Sequence, residues 1–435
     1  MFQSQRELTG KKNDEKVVVG YDLGSDYAQI SYSVLGREPE TVSAVTGTEQ
    51  YNIPVVLCKR SGVGQWYYGK EALKYAKAGE GTLVERLLDL AERGEEVMVE
   101  GEAFDPAALL TLFVKRSLAL LNIRISGARI EAFMFTVEQL TPRIVDVLGK
   151  VAAGIKLNAS HICFQSHRES FYAYMLHQER ELWKNDVLIF EYNKTLKGLC
   201  LECNNKTEPK VVFIEQLDYP MMERRVWKEE EALKQQQMDE LDQLFFGIAQ
   251  EVLKEKIVST IFLLGDGFKE EWAKESLKLL CRNRRVFQGN NLYSKGACYG
   301  MAERLEPGPL WKEYVYLGSD KLKSNIGMKV LRKGEDSYYA ILDAGANWYE
   351  AVAEFDVILE SGNELEFLIT PLTGGNVTSR VLTLEGLPQR QARTTRLNVR
   401  MEMTAVDQAA ITIEDMGFGE LVPSSGKAWT QVVQV

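Results

Sequence analysis

Val18-Val19-Gly20-Tyr21-Asp22-Leu23-Gly24-Ser25-Asp26 decides how this chain is read. A buried strand, starting at Val17, runs into an acid, a glycine and a hydroxyl, and a second strand-like run, Ala28 to Ser33, follows at once. In such a hairpin Gly24 lets backbone N–H groups approach phosphate oxygens, Ser25 can donate a hydrogen bond, and Asp22 can hold a hydrated magnesium ion. The pattern is that of a phosphate hairpin. Residues 1–14 before it are polar and expected to be disordered.

From here to about residue 310, apolar strand-like runs alternate with helical stretches, the pattern of an α/β architecture. Ala132 to Val137, Val187 to Glu191 and Thr260 to Gly265 read as strands. From about Trp227 to Lys256 the spacing of Leu233, Leu241, Leu244, Ile248 and Leu253 predicts a helix with one apolar face. A second Gly-rich turn, Leu264-Gly265-Asp266-Gly267, ends the strand from Ile261, and a nucleoside could lie against its bare backbone. Gly289 to Gly300 leads into a helix dense in small residues that could pack closely.

Beyond about Tyr314 the character changes to short runs in which β-branched and aromatic residues alternate with polar ones, so a second, antiparallel β domain is expected. Its candidate strands are Asn325 to Leu331, Tyr338 to Leu342, Ala353 to Leu359, Leu365 to Thr370, Arg380 to Leu384, Leu397 to Met403 and Ala409 to Glu414. Gly334, Ser361-Gly362-Asn363 and Gly374-Gly375 supply turns. No internal repeat is visible.

With 435 residues, 45% of them hydrophobic, the chain exceeds one core and can build two. A net charge of −10 argues against a general phosphate-backbone binder, so nucleic acid is not an expected partner. Six scattered cysteines read as thiols in a reducing compartment, Cys200 and Cys203 pointing to opposite faces of a strand. The amino terminus has no signal-peptide core and no stretch approaches a membrane span. A cytoplasmic protein without membrane partners is expected.

The colinear order of these motifs resembles the DnaK-type, heat-shock-70 class of chaperones in the actin-like ATPase superfamily. Asp22-Leu23-Gly24-Ser25 resembles the family's first phosphate motif. Ile53-Pro54-Val55-Val56 and Tyr68 to Ala72 resemble the strands and helix start that follow, and Leu264 to Gly267 the adenosine motif. Gly296 to Met301 resembles the closing helix. Asn325 to Met328, Leu368 to Gly374, Leu384 to Pro388 and Ala409 to Asp415 resemble parts of the substrate-binding β domain. The resemblance implies an actin-like (ribonuclease-H-like) nucleotide-binding domain over 15–310, a linker over 311–324 and a β-sandwich over 325–435 that holds a polypeptide client or a specific partner protein. It implies ATP or ADP with magnesium at Asp22, Gly24, Ser25, Asp26, Glu191, Gly265, Asp266 and Gly267. The family's helical lid after the sandwich is not expected in this chain, so a bound peptide is expected to leave quickly.

The catalytic motifs depart from the family. Phe190-Glu191-Tyr192-Asn193-Lys194-Thr195-Leu196-Lys197-Gly198 stands where a Gly-rich, acid-bearing second phosphate hairpin is expected, and Gln165-Ser166-His167 replaces the segment that would carry a catalytic glutamate. No lysine falls in Thr82 to Leu88, where Arg86 is nearest, and Lys and Arg are not interchangeable at a phosphate site. Without these groups little is left to position an attacking water, so no catalytic residue is assigned and hydrolysis is expected to be weak or absent. His161, His167 and His177 lie close in sequence but lack the spacing of a zinc pair. Phe171, Tyr172 and Tyr174 read as helix core. The leading expectation is a chaperone-like binding protein with degenerate ATPase motifs; the alternatives are an active chaperone ATPase and an actin-like scaffold.

Overall fold

A computed structural model describes residues 16–435 except 46, 126–128, 158, 160 and 290; the tail expected to be disordered lies outside the described residues. The chain divides into two compact units, one of residues 1–203 and 213–312, the other of 204–212 and 313–435. The first is α/β and the second, apart from short helical turns, all-β. The stretch read as a linker is not bare chain. Helix Pro309–Glu313 runs into it and strand Tyr314–Tyr316 lies within it, pairing in parallel with Lys210–Val212 in the second unit.

The first unit is built on two sheets. One has strands β1 (Lys16–Leu23), β2 (Tyr27–Val34), β3 (Glu40–Thr41), β4 (Arg129–Val137) and β5 (His161–Ser166) in the order β5-β4-β1-β2-β3. The other has β6 (Asp186–Tyr192), β7 (Thr195–Asn204), β8 (Lys210–Glu223), β9 (Val258–Leu264) and β10 (Arg285–Gln288) in the order β10-β9-β6-β7-β8, with β8 crossing the unit boundary. Over these five strands the two orders are the same; each sheet has a sixth strand, Ile53–Pro54 paired with β2 in one and Tyr314–Tyr316 paired with β8 in the other. In each sheet the first strand pairs antiparallel with the second and parallel with the fourth, which is parallel to the fifth. The chain therefore repeats one topology, although no repeat is visible in its sequence.

Residues Val17 to Tyr21 of β1 are all buried, as expected of a strand covered on both faces. Helix α3 (Pro106–Ser117) starts with Asp105 accepting from the Ala107 N–H and with proline at its first position; α4 (Pro142–Ile155) repeats the device with Thr141. Helix α6 spans Glu231–Glu255 and buries Leu241, Phe245, Ile248, Ala249 and Val252. Leu233 and Leu244, expected on that face, are exposed, because Phe245 rather than Leu244 fills the space against Phe190 and Phe268.

Helices α5 (His167–Leu176) and α8 (Leu292–Leu305) pack on each other, and α8 also covers β1 and β4. Glycine makes this approach possible. A Cβ on Gly20 would stand 2.2 Å from the Ser294 carbonyl oxygen, and one on Gly296 2.0 Å from that of Ser170. Phe171 and Tyr172 are buried in this helix layer, while Tyr174 is half-buried.

In the second unit, strands β11 (Ser324–Arg332), β12 (Glu335–Leu342), β14 (Glu364–Pro371) and β15 (Thr378–Thr383) form one sheet, β12-β11-β14-β15. Strands β13 (Val352–Leu359), β16 (Thr395–Ala405), β17 (Gln408–Gly417) and β18 (Ala428–Gln434) form the other, β13-β16-β17-β18. All seven expected strands are present, and β18 is an eighth that sequence reading passed over. The printed pairings in both sheets are antiparallel. Met328, Leu365 and Phe367 of one sheet share a core with Leu397, Met401 and Ile411 of the other. Gly334, Gly362, Gly374 and Gly375 have positive φ, as their turns require.

Candidate functional site

The ends of β1 and β6 and the starts of α5 and α8 bring together Asp22, His167, Glu191 and Tyr293. Strand β1 places Asp22 one residue before its end, and Ser166 caps α5 by accepting from the Glu169 N–H, which sets His167 at the helix's first position. His167 Nε2 lies 2.7 Å from Asp22 Oδ1, and its ring stacks on Tyr293 at 4.1 Å with 6° between the planes. Tyr293 donates its hydroxyl to Glu191 Oε2 at 2.9 Å, and Asn193 Nδ2 donates to Glu191 Oε1 at 2.8 Å. Both carboxylates thus face protein donors.

Burial presses the His167 imidazole toward its neutral form, but Asp22, with Glu191 and Glu138 behind it, outweighs this and holds its pKa above the ordinary value. Burial raises the Glu191 carboxyl, and His167 and Tyr293 offset only part of that rise. Burial and the neighbouring Glu191 push the Tyr293 hydroxyl well up, so it remains a donor. Such a histidine stabilises the fold fully below its unfolded pKa of about 6.5, and the contribution is lost as pH rises through the higher folded value. The melting-temperature gap between the native chain and His167→Gln should therefore narrow above neutral pH. A gap constant from pH 6 to 9 would show that the imidazolium contributes nothing.

The remaining nucleotide-site candidates are engaged in the same way. Ser25 donates to Asp89 at 2.5 Å, and Asp89 also pairs with Arg86, the residue nearest the expected lysine position. Asp26 pairs with Lys194 at 2.8 Å. Gly24 closes the β1–β2 turn through its N–H to the Tyr27 carbonyl. Gly265 and Gly267 do not face open space: Cβ atoms there would meet Tyr192 O at 2.5 Å and Tyr192 Cδ1 at 2.3 Å. Asp266 binds Lys269 at 2.7 Å, and its N–H donates to Asn193 Oδ1 at 3.3 Å. The structure brings Asp22 and Glu191 into one cluster, in which Asp22 Oδ1 and both oxygens of Glu191 are bonded by side chains of the chain itself. The sequence places His167 among three close histidines and in the Gln165-Ser166-His167 segment, and Tyr293 in the run from Gly289 to Gly300, without indicating that the two rings meet. The usable signal was a histidine standing directly after Ser166, where an acidic residue was expected.

Away from this cluster, the candidate metal-binding group among the described residues is Asp186, Cys200 and Glu202. Lys256 already sits on Glu202 and, at 3.0 Å, on Glu215, while burial pushes the Cys200 thiol up, away from the thiolate a metal needs. Among the described residues no helix is long and apolar enough to cross a membrane.

The chain belongs to a family of unknown function, DUF5716, whose C-terminal model matches residues 38–319. A domain of unknown function, DUF8552, matches residues 321–435. No curated protein matches the chain.

Proposed function

We propose that this DUF5716 member is an actin-like, heat-shock-70-type binding protein that does not hydrolyse ATP and holds an extended polypeptide or a partner protein through its β unit. One observation carries the reading: the imidazole of His167 bonds Asp22 and stacks on Tyr293, which bonds Glu191. The acids that would hold magnesium and orient water are thereby satisfied by the protein itself. Phosphoryl transfer depends on positioning by such groups, and here each of them already bonds a side chain of the chain itself. The repeated strand order of the two α/β sheets supports the actin-like part of the reading, together with the order of the sequence motifs. In the second unit two open four-stranded sheets present edge strands, and an edge can take up an extended segment through main-chain hydrogen bonds. A reducing, cytoplasmic setting fits the free thiols.

The test uses the full-length protein. Steady-state assays with magnesium-ATP should give no turnover, and calorimetric titration with ATP or ADP no heat of binding. Turnover abolished by Asp22→Asn would instead establish an active ATPase. On a peptide array the chain should bind many extended apolar sequences. No peptide signal, with one protein co-purifying at stoichiometric level, would replace the general peptide reading with docking to a single partner.

A further inference from the structure

The two halves of the first unit meet at more than the buried cluster. Lys194, in the β6–β7 turn, pairs with Asp26, in the β1–β2 turn, at 2.8 Å. Lys197 on β7 pairs with Glu138, just past β4. Arg168 on α5 donates to Gln216 on β8. Tyr293 on α8 reaches Glu191 on β6 at 2.9 Å. Each contact runs from the first sheet, or a helix packed on it, to the second sheet. Together these four contacts bridge the two sheets, and the last of them belongs to the buried His167–Tyr293 cluster.

We propose that this set of bridges is a built-in lock: side chains of the chain itself join the two sheets, so the first unit is held in one closed arrangement without a ligand. The inference rests on the reading of the cluster as one that takes no nucleotide, and adds that the same side chains fix the relative position of the two sheets. Lys194 and Lys197 supply the positive charge at the rim, where the acids of both halves would otherwise repel one another. Burial alone would lower the Lys197 pKa, but Glu138 and Glu191 hold it above its ordinary value, so its ammonium stays charged. Exposed pairs contribute little singly. The lock therefore depends on the rim pairs acting with the buried Tyr293–Glu191 bond.

Hydrogen exchange of the full-length protein tests this at the β1–β2 and β6–β7 turns, one from each sheet, which Asp26 and Lys194 join. Tyr293→Phe combined with Lys197→Met should speed exchange in both turns by roughly tenfold, the equivalent of about 1.4 kcal/mol, with the fold retained by circular dichroism. Lys194→Glu should speed both by a smaller factor, and adding Asp26→Lys should return both to the native rate. Faster exchange confined to the β6–β7 turn, or no recovery in the Asp26→Lys/Lys194→Glu double variant, would overturn the lock. Turnover of ATP by the native chain would defeat the binding-protein reading instead, so the two failures are distinguishable.

Discussion

Replacing Gly296 with alanine is expected to destabilise the first unit by about 3 kcal/mol or more, the upper end of overpacking costs. The added methyl would stand 2.0 Å from the Ser170 carbonyl oxygen and 2.7 Å from its carbon. Both are backbone atoms of α5, so no rotamer change relieves the clash; two helices must part. Parting them would also disturb the starts of α5 and α8, where His167 and Tyr293 stack. Gly300→Ala offers a contrast, since its methyl would meet the side-chain amide of Gln165 at 2.5 Å, a group that can move. Calorimetry resolving the transition of the first unit should show the larger loss for Gly296→Ala. Equal, small losses at the two positions would mean the helix layer is softer than its packing indicates.

In the second unit the largest single effect is expected at Arg390. Its guanidinium grips Asp415 through two hydrogen bonds of 2.7 Å, and the Asp415 side chain is fully buried at the end of β17. The carboxylate also accepts from the N–H groups of Gly417 and Ser425 at 3.0 and 2.8 Å, which ties down the loop leading to β18. Arg390→Met leaves a buried carboxylate without its counter-charge and should cost about 3–5 kcal/mol. Combining it with Asp415→Asn should recover part of the loss, because the stranded charge is then gone.

The same pair sets an acid limit. The Arg390 hydrogen bonds, against the opposing effect of burial, hold the Asp415 carboxyl well below the usual range. A group with a depressed folded pKa stabilises the native state above its unfolded value, about 3.9, and loses that contribution as pH falls through the folded value. The second unit should therefore lose stability progressively below about pH 4, and Arg390→Met should flatten that dependence. An unchanged acid profile in the variant would show that other carboxylates govern it.

Local sequence determined the elements. Period-two alternation marked seven of the eight sandwich strands to within a few residues. It missed Ala428–Gln434, where Trp429 is half-buried, Val433 buried and Val432 exposed, so the apolar residues do not keep to one face. Glycines at Gly334 and Gly374 declared their turns because only positive φ closes them there.

Tertiary structure alone decided how the acids of the cluster are satisfied. His167 meets Asp22 across 145 positions and Tyr293 meets Glu191 across 102, separations at which no spacing rule pairs residues. The repeat of strand order between the two sheets was hidden for the same reason. Order is a property of long-range pairing, and two unrelated apolar runs can take the same place in a sheet. Helix α6 shows the limit at short range: its period was legible, but Phe245 took the core in place of Leu244 because the space against Phe190 and Phe268 admits a ring. Sequence thus determines which segments are strands, helices and turns, since those follow from periodicity and backbone preference. Which side chains satisfy a buried acid is decided only when distant elements pack, because burial and partner geometry exist only in the folded chain.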